Sequence, residues 1–232
     1  SGMYQVLKKL GFVYKKPRRY PAKLDVEKQQ AFRERYQALK RNLGPEEVIL
    51  FLDGVHPDHQ TQAVHGWIFK GSVKAVATTA KQKRLHYLGS LELHSQEGPK
   101  ILTRRYEKIN GESIMDFMGH LLLTYESKKK LYLIMDQAGY HRSHQVREFV
   151  MKLGGRIEIE FLPPYSPNLN SIERLWKIVR ENVTYNRYYR TYKEFSDAVM
   201  EFFEKKIFEI PDILKSRLND RFQKIELDFV QV

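Results

Sequence analysis

The sequence predicts an α/β protein, a mixed sheet flanked by helices on both faces. Two continuous apolar runs, residues 48–52 and 131–135, have the length and β-branched content of buried strands. Several strand-like stretches come first, and strand-like and helix-like stretches then alternate, an order that suits a sheet with parallel and antiparallel parts. At 232 residues the chain has room for one full core with peripheral helices.

Residues 4–10 carry apolar positions at helical spacing, ended by Gly11. Lys15-Lys16-Pro17-Arg18-Arg19-Tyr20-Pro21 holds two prolines, which oppose helix and favour an extended basic linker. Residues 25–42 read as a charged helix, closed by Asn42 and Gly44. Beyond Pro45 the strand candidates are 48–52, 64–70, 73–79, 84–93 and 100–106. A helix is expected over about 111–127, with Ile114, Phe117, Met118, Leu121 and Leu122 on one side. Strand 131–135, helix 143–153 and strand 157–162 follow, then Pro163-Pro164 and helices over 169–182, 191–205 and 211–224. The expected division is 1–44, a DNA-binding end with its linker and charged helix, and 45–232, a catalytic domain with C-terminal helices.

Composition narrows the function. Hydrophobic residues at 42% and aromatic residues at 12% exclude a disordered chain. The lack of cysteine excludes disulfides, a thiolate zinc site and a cysteine nucleophile. No run approaches the roughly 18 apolar residues of a membrane span and no signal-peptide pattern opens the chain, so a soluble intracellular protein is expected. Ser1-Gly2 ahead of Met3 has the look of a cloning remnant, so a natural upstream region is expected. The formal net charge is +12, and residues 1–44 hold 12 Lys/Arg against 3 Asp/Glu. A basic arm on a near-neutral body suggests a polyanion docked at one end, and nucleic acid is the commonest.

Three carboxylates are the candidate catalytic and metal-ligating residues. Asp53 ends the first apolar run, where a carboxylate loses solvation and needs a partner; taken alone, Asp53-Gly54 reads first as the signal of a turn. Asp136 ends the second run, outside the carboxyl end of a strand where open α/β sheets gather ligands, or else is a loop or cap residue. Glu173 falls in the first turn of a helix, and Asn170 three residues earlier has capping-box spacing. Together, two strand-end aspartates and a helix-borne glutamate can converge at one sheet edge and offer oxygen ligands to Mg²⁺ or Mn²⁺. Two such ions about 3.5–4 Å apart would clamp an in-line phosphoryl displacement.

Three stretches resemble the motif blocks of the DDE transposases, in particular the bacterial insertion-sequence branch of the mariner-like superfamily. They are Phe51-Leu52-Asp53, Leu133-Ile134-Met135-Asp136-Gln137-Ala138 with His141, and the run from Leu162-Pro163-Pro164-Tyr165-Ser166-Pro167 through Leu169-Asn170 and Ile172-Glu173 to Trp176. Trp67-Ile68-Phe69-Lys70-Gly71 is similar to a Trp–Lys–Gly element of that family, and 7–21 to the end of its helix-turn-helix and the basic linker after it. The resemblance covers Val6 to about Phe203; Gln137 and Ser171 depart from the family's usual Asn and Pro.

The resemblance implies an RNase H-like fold and cut-and-paste transposition. A metal-dependent hydrolysis at the transposon end would be followed by attack of the freed 3′ hydroxyl on target DNA. It further implies Asp53, Asp136 and Glu173 as ligands of two Mg²⁺ or Mn²⁺ ions, a homodimer on DNA, a TA target and action in the bacterial cytoplasm, nucleoid-associated when bound to DNA. Lys15, Lys16, Arg18, Arg19, Lys70 and His141 are the candidate DNA-binding residues, His141 with a supporting role beside Asp136 as the alternative. Trp176 reads as a core anchor fixing the glutamate's helix, and His56 and His59 as surface-loop residues. Tyr185, Tyr188, Tyr189 and Tyr192, with Arg187 and Arg190, read as a DNA-facing patch or as helix packing. Two other functions remain open: an RNase H-like nuclease without strand transfer, and a non-catalytic DNA-binding relic.

Overall fold

The computed structural model describes residues 2–14, 23–79 and 83–222. Five strands form one sheet: β1 (Glu47–Val55), β2 (His86–Glu92), β3 (Lys100–Tyr106), β4 (Lys130–Met135) and β5 (Ile157–Phe161), in the order β3-β2-β1-β4-β5. β1–β2 and β2–β3 are antiparallel, whereas β1–β4 and β4–β5 are parallel. The helices are α1 (Gly2–Lys9), α2 (Val26–Asn42), α3 (Gly111–Thr124), α4 (His144–Lys152), α5 (Glu173–Val183), α6 (Tyr192–Glu204) and α7 (Pro211–Arg217). The expected mixed sheet with helices on both faces is the fold observed.

Side-chain alternation sorts the central strands between two cores. Val48, Leu50, Leu52, Leu131, Leu133 and Met135 pack with α3 and α4 through Ile114, Phe117, Met118, Leu121 and Val146. Ile49, Phe51, Val55, Tyr132 and Ile134 face the other way, onto α2, α5 and α6 through Phe32, Tyr36, Trp176, Val179, Phe195 and Phe202. Burial on both faces explains why these strands lack polar alternation. α3 opens on a capping box in which Asn110 Oδ1 accepts from Ser113 N and Ser113 Oγ accepts from Asn110 N.

Several expectations require correction. No strand forms over 64–70 or 73–79; Trp67, Phe69 and Val73 are exposed, so these segments bury no apolar face, and strand propensity alone does not hold them in the sheet. That segment is tied back by Asn186, whose Oδ1 accepts from Val64 N and whose Nδ2 donates to Val64 O. The last helix stops at Arg217 rather than continuing to 224. Asp220 instead accepts hydrogen bonds from Tyr36 and Lys40 on α2, which fix the chain here away from a helical path. The helix expected from 169 begins at Glu173, after a single 3-10 turn over Pro167–Leu169.

Candidate active site

Asp53, Asp136 and Glu173 line one cleft of about 470 Å³. Asp53 lies within β1, Asp136 follows the last residue of β4, and Glu173 is the first residue of α5. Because β1 and β4 run parallel, their carboxyl ends open at one edge of the sheet. The loop over 162–170 forms the facing wall, and Gln137, Ala138 and Arg142 complete it.

The bland alternatives for two of the acids fail on geometry. Asp53-Gly54 is no hairpin turn, since β1 continues to Val55 and Asp53 pairs with Gly89 in β2. Asn170 and Glu173 form no capping box: the N-cap is Ile172, and Glu173 N donates to the main-chain carbonyl of Asn170. Among the described residues, no hydrogen bond or ion pair ties up the Glu173 carboxylate.

The other two carboxylates are held. Asp53 Oδ1 accepts from Gly54 N at 2.8 Å, and its Oδ2 accepts from the indole Nε1 of Trp176 at 3.0 Å. Trp176 is thus a core anchor, as expected, and also a direct partner of the first acid. Sequence reasoning missed this second role, because a tryptophan one turn beyond a glutamate carries no sign of what its N–H meets. Gly89 was missed too. A Cβ there would lie 2.4 Å from Trp176 Cη2 and 2.9 Å from Cζ2, so the absent side chain makes room for the indole. Asp136 Oδ1 accepts from Ala138 N at 2.9 Å and from His141 Nδ1 at 2.7 Å.

His141 is 1% exposed, so the structure places it in the interior beside Asp136 rather than on a DNA-facing surface. Its Nε2 is enclosed without a partner. The tautomer with the proton on Nδ1 therefore leaves no buried N–H unsatisfied. The wall loop has its own brace. Gln29 of α2, 6% exposed, donates from Nε2 to Ser166 Oγ at 2.8 Å and accepts from Asn168 Nδ2 at 3.1 Å. That brace supports Tyr165 at φ 57°, a left-handed conformation costly for an aromatic residue.

Electrostatics distinguishes the three acids. Burial, followed by the nearby Glu173 carboxylate, pushes Asp53 up to about 7. Burial likewise raises Glu173. Asp136 is lowered, chiefly by the hydrogen bond from His141. The acids share the cleft without closing into a coordination shell: among the described residues, no three His, Cys, Asp or Glu side chains are gathered closely enough to hold a metal ion. The donor set fits a hard divalent cation: three carboxylates line one cleft, and burial and the Glu173 carboxylate, which raise Asp53, are opposed by a bound positive charge.

Of the remaining candidates, Lys15, Lys16, Arg18 and Arg19 lie outside the described residues. Lys70 is exposed, on the turn before Gly71 in the projecting segment. His59 is not a surface residue: its ring stacks on Phe195 at 5.4 Å and its Nε2 meets Tyr189 O at 2.9 Å. Tyr189 and Tyr192 pack on Phe195, whereas Tyr188 is 46% exposed, so the tyrosine cluster divides between packing and surface.

A five-stranded mixed sheet in this order, with helices on both faces and acids at its carboxyl edge, is the RNase H-like class of fold. The chain belongs to the DDE superfamily endonuclease family, which it matches over residues 48–196, and residues 1–36 match a winged helix-turn-helix family. Among curated relatives it is 27% identical over 120 residues to an insertion element IS630 uncharacterized 39 kDa protein of Shigella sonnei, covering 52% of this chain and 34% of that one. It is 30% identical over 83 residues to uncharacterized protein y4pE/y4sA of Sinorhizobium fredii, covering 36% of this chain and 58% of that one. The chain thus spans between a third and three-fifths of the length of these relatives. The fold is similar to the Mos1 transposase in its paired-end complex with left transposon end, at a TM-score of 0.64 and 15% identity over 97% of this chain and 71% of that one. The mariner Mos1 paired end complex with Mg matches at a TM-score of 0.60 and 16% identity, over 97% of this chain and 71% of that one.

Proposed function

We propose that this chain is the catalytic part of a cut-and-paste DNA transposase. It hydrolyses a phosphodiester at each transposon end and transfers the freed 3′ hydroxyl into target DNA. The observation that carries this reading is the convergence of Asp53, Asp136 and Glu173 on one cleft at the carboxyl edge of the sheet. Family membership and the likeness to Mos1 complexes support it.

Asp53, Asp136 and Glu173 would hold Mg²⁺ or Mn²⁺, two ions per site. The bound cations supply activation of the attacking water or 3′ hydroxyl and neutralise charge on the leaving oxygen. Trp176 and Gly54 orient the Asp53 carboxylate, and His141 and Ala138 orient that of Asp136. Water attacks phosphorus and the bond to the 3′ oxygen breaks; in the second step the 3′ hydroxyl attacks a target phosphodiester in the same cleft. Positioning and charge neutralisation carry the rate, and no covalent enzyme intermediate forms.

DNA is the partner, and the chain acts as a homodimer that pairs two ends. The exposed Trp67, Phe69 and Val73 beside Lys70 give the projecting segment apolar surface to bury against a second copy. The proposed place of action is DNA in the bacterial cytoplasm; among the described residues no helix is long and apolar enough to cross a membrane.

The test is cleavage and strand transfer on labelled element-end duplex with Mg²⁺ or Mn²⁺, with Asp53→Asn, Asp136→Asn and Glu173→Gln run beside the parent. Cutting and joining by the parent, lost in each variant, is the expected result. Cutting without joining would replace the reading with a nuclease, and activity retained when all three substitutions are combined in one chain would overturn the site.

A further inference from the structure

The sheet edge that carries the acids continues beyond them. From Asp53 the ladder runs sideways to β2 and β3, with Asp53 opposite Gly89, Val55 opposite Tyr87, and His86 opposite Tyr106. β2 is antiparallel to both neighbours, so its first residues and the last of β3 share the edge at which Asp53 and Asp136 open. There a second cleft of about 520 Å³ is walled by Arg84, His86, Arg105, Tyr106, Glu107 and Tyr192. β3 lies two strand spacings from β1, about 10 Å.

The cleft's chemistry is that of an anion site. Arg105 donates from Nη1 to Ser196 Oγ on α6 at 2.9 Å, and among the described residues no carboxylate pairs with it. Arg84 donates from Nε to Asp58 at 2.5 Å, with its side chain still 56% exposed. Its main chain is anchored by Tyr192, whose hydroxyl donates to Arg84 O at 3.0 Å. His56 and His86 meet beside the wall, Nδ1 to Nδ1 at 2.6 Å. Glu107 is the one carboxylate on that wall. Tying the Arg105 guanidinium to a serine rather than an acid keeps its charge free for an external ligand.

We propose that this cleft is a second DNA-backbone site, in which Arg105 and Arg84 hold a phosphodiester of the duplex whose neighbouring stretch lies on the acids. The inference rests on the proposed action on DNA and names where the substrate runs. Duplex DNA carries one charge per about 1.7 Å of its axis. A duplex with one phosphate at Asp53 and its axis along the sheet edge therefore brings others over β3. Arg104, the adjacent residue on β3, faces away toward Asp116 and His120 of α3 and takes no part.

The experiment measures binding of a short duplex of arbitrary sequence to the full chain by fluorescence anisotropy across a salt series. The parent is compared with Arg84→Ala, Arg105→Ala, the double variant, Arg105→Lys and Arg104→Ala, and a melting curve for each reports its fold. The slope of log affinity against log salt should shrink by about 0.9 for each phosphate contact removed. Arg105→Lys should keep most of the parent slope, and Arg104→Ala all of it. A parent slope retained in the double variant would overturn the site, as would Arg105→Lys behaving like Arg105→Ala. A parent that binds no duplex at any salt would instead overturn the proposed function, and this site with it.

Discussion

Trp176 donates its indole N–H to the carboxylate of Asp53 across 3.0 Å, joining the helix that begins with Glu173 to the strand that carries the first acid. One side chain thus ties the helix of one acid to the carboxylate of another while filling the core under the sheet. Trp176→Phe keeps most of the packing and removes the donor. It is expected to cost about 1–3 kcal/mol of stability, measured by denaturant unfolding, and to weaken Mn²⁺ binding. Unchanged Mn²⁺ affinity would mean that the hydrogen bond does not position Asp53.

Gly89 tests the same link from the opposite strand. In Gly89→Ala the new methyl falls 2.4 Å from Trp176 Cη2, and a buried indole between strand and helix has little room to yield. The expected loss is about 1–3 kcal/mol with cleavage reduced as well. A crystal structure of the variant would reveal a displaced indole.

His141 acts on Asp136. His141→Phe fills the buried space and removes the Nδ1 donor, so the Asp136 carboxyl moves back up toward its ordinary range. Weakening of divalent-metal affinity by about 10–100-fold is expected, largest at acid pH. Isothermal titration with Mn²⁺ across pH measures it, and equal affinities at every pH would remove His141 from the site.

Asp53 couples stability to pH and to metal. Its folded value of about 7 lies above the ordinary value near 3.8, so between them the folded chain holds a proton that the unfolded chain has released. Stability of the metal-free chain therefore falls as pH rises from about 4 to about 7 and then levels, by a few kcal/mol at order of magnitude. Asp53→Asn should abolish that component. Below pH 7, Mg²⁺ or Mn²⁺ binding should release a proton, seen as a buffer-dependent heat; no such dependence would separate Asp53 from the metal.

The two central strands were legible because burial on both faces wrote them as unbroken apolar runs, each leading to an acid. The block from Leu162 to Trp176 marked the third acid through its prolines and the resemblance they carry. What stayed hidden depended on pairing between distant parts of the chain. Gly89 stands opposite Asp53 only through the register of β2, and Gln29 reaches Ser166 across 137 positions. The apolar residues at 64–79 have strand propensity, but with Trp67, Phe69 and Val73 exposed they bury no face, and propensity alone yields no strand. Asn170 and Glu173 have capping-box spacing, and the 3-10 turn at Pro167–Leu169 moves the helix start past it.

The central claim, that the three acids hold the catalytic cations, is tested most directly by anomalous diffraction from Mn²⁺-soaked crystals of the chain. Manganese peaks between the Asp53, Asp136 and Glu173 carboxylates, about 3.5–4 Å apart where two are present, are the predicted result. Manganese bound elsewhere on the protein, with those carboxylates free of it, would contradict the account.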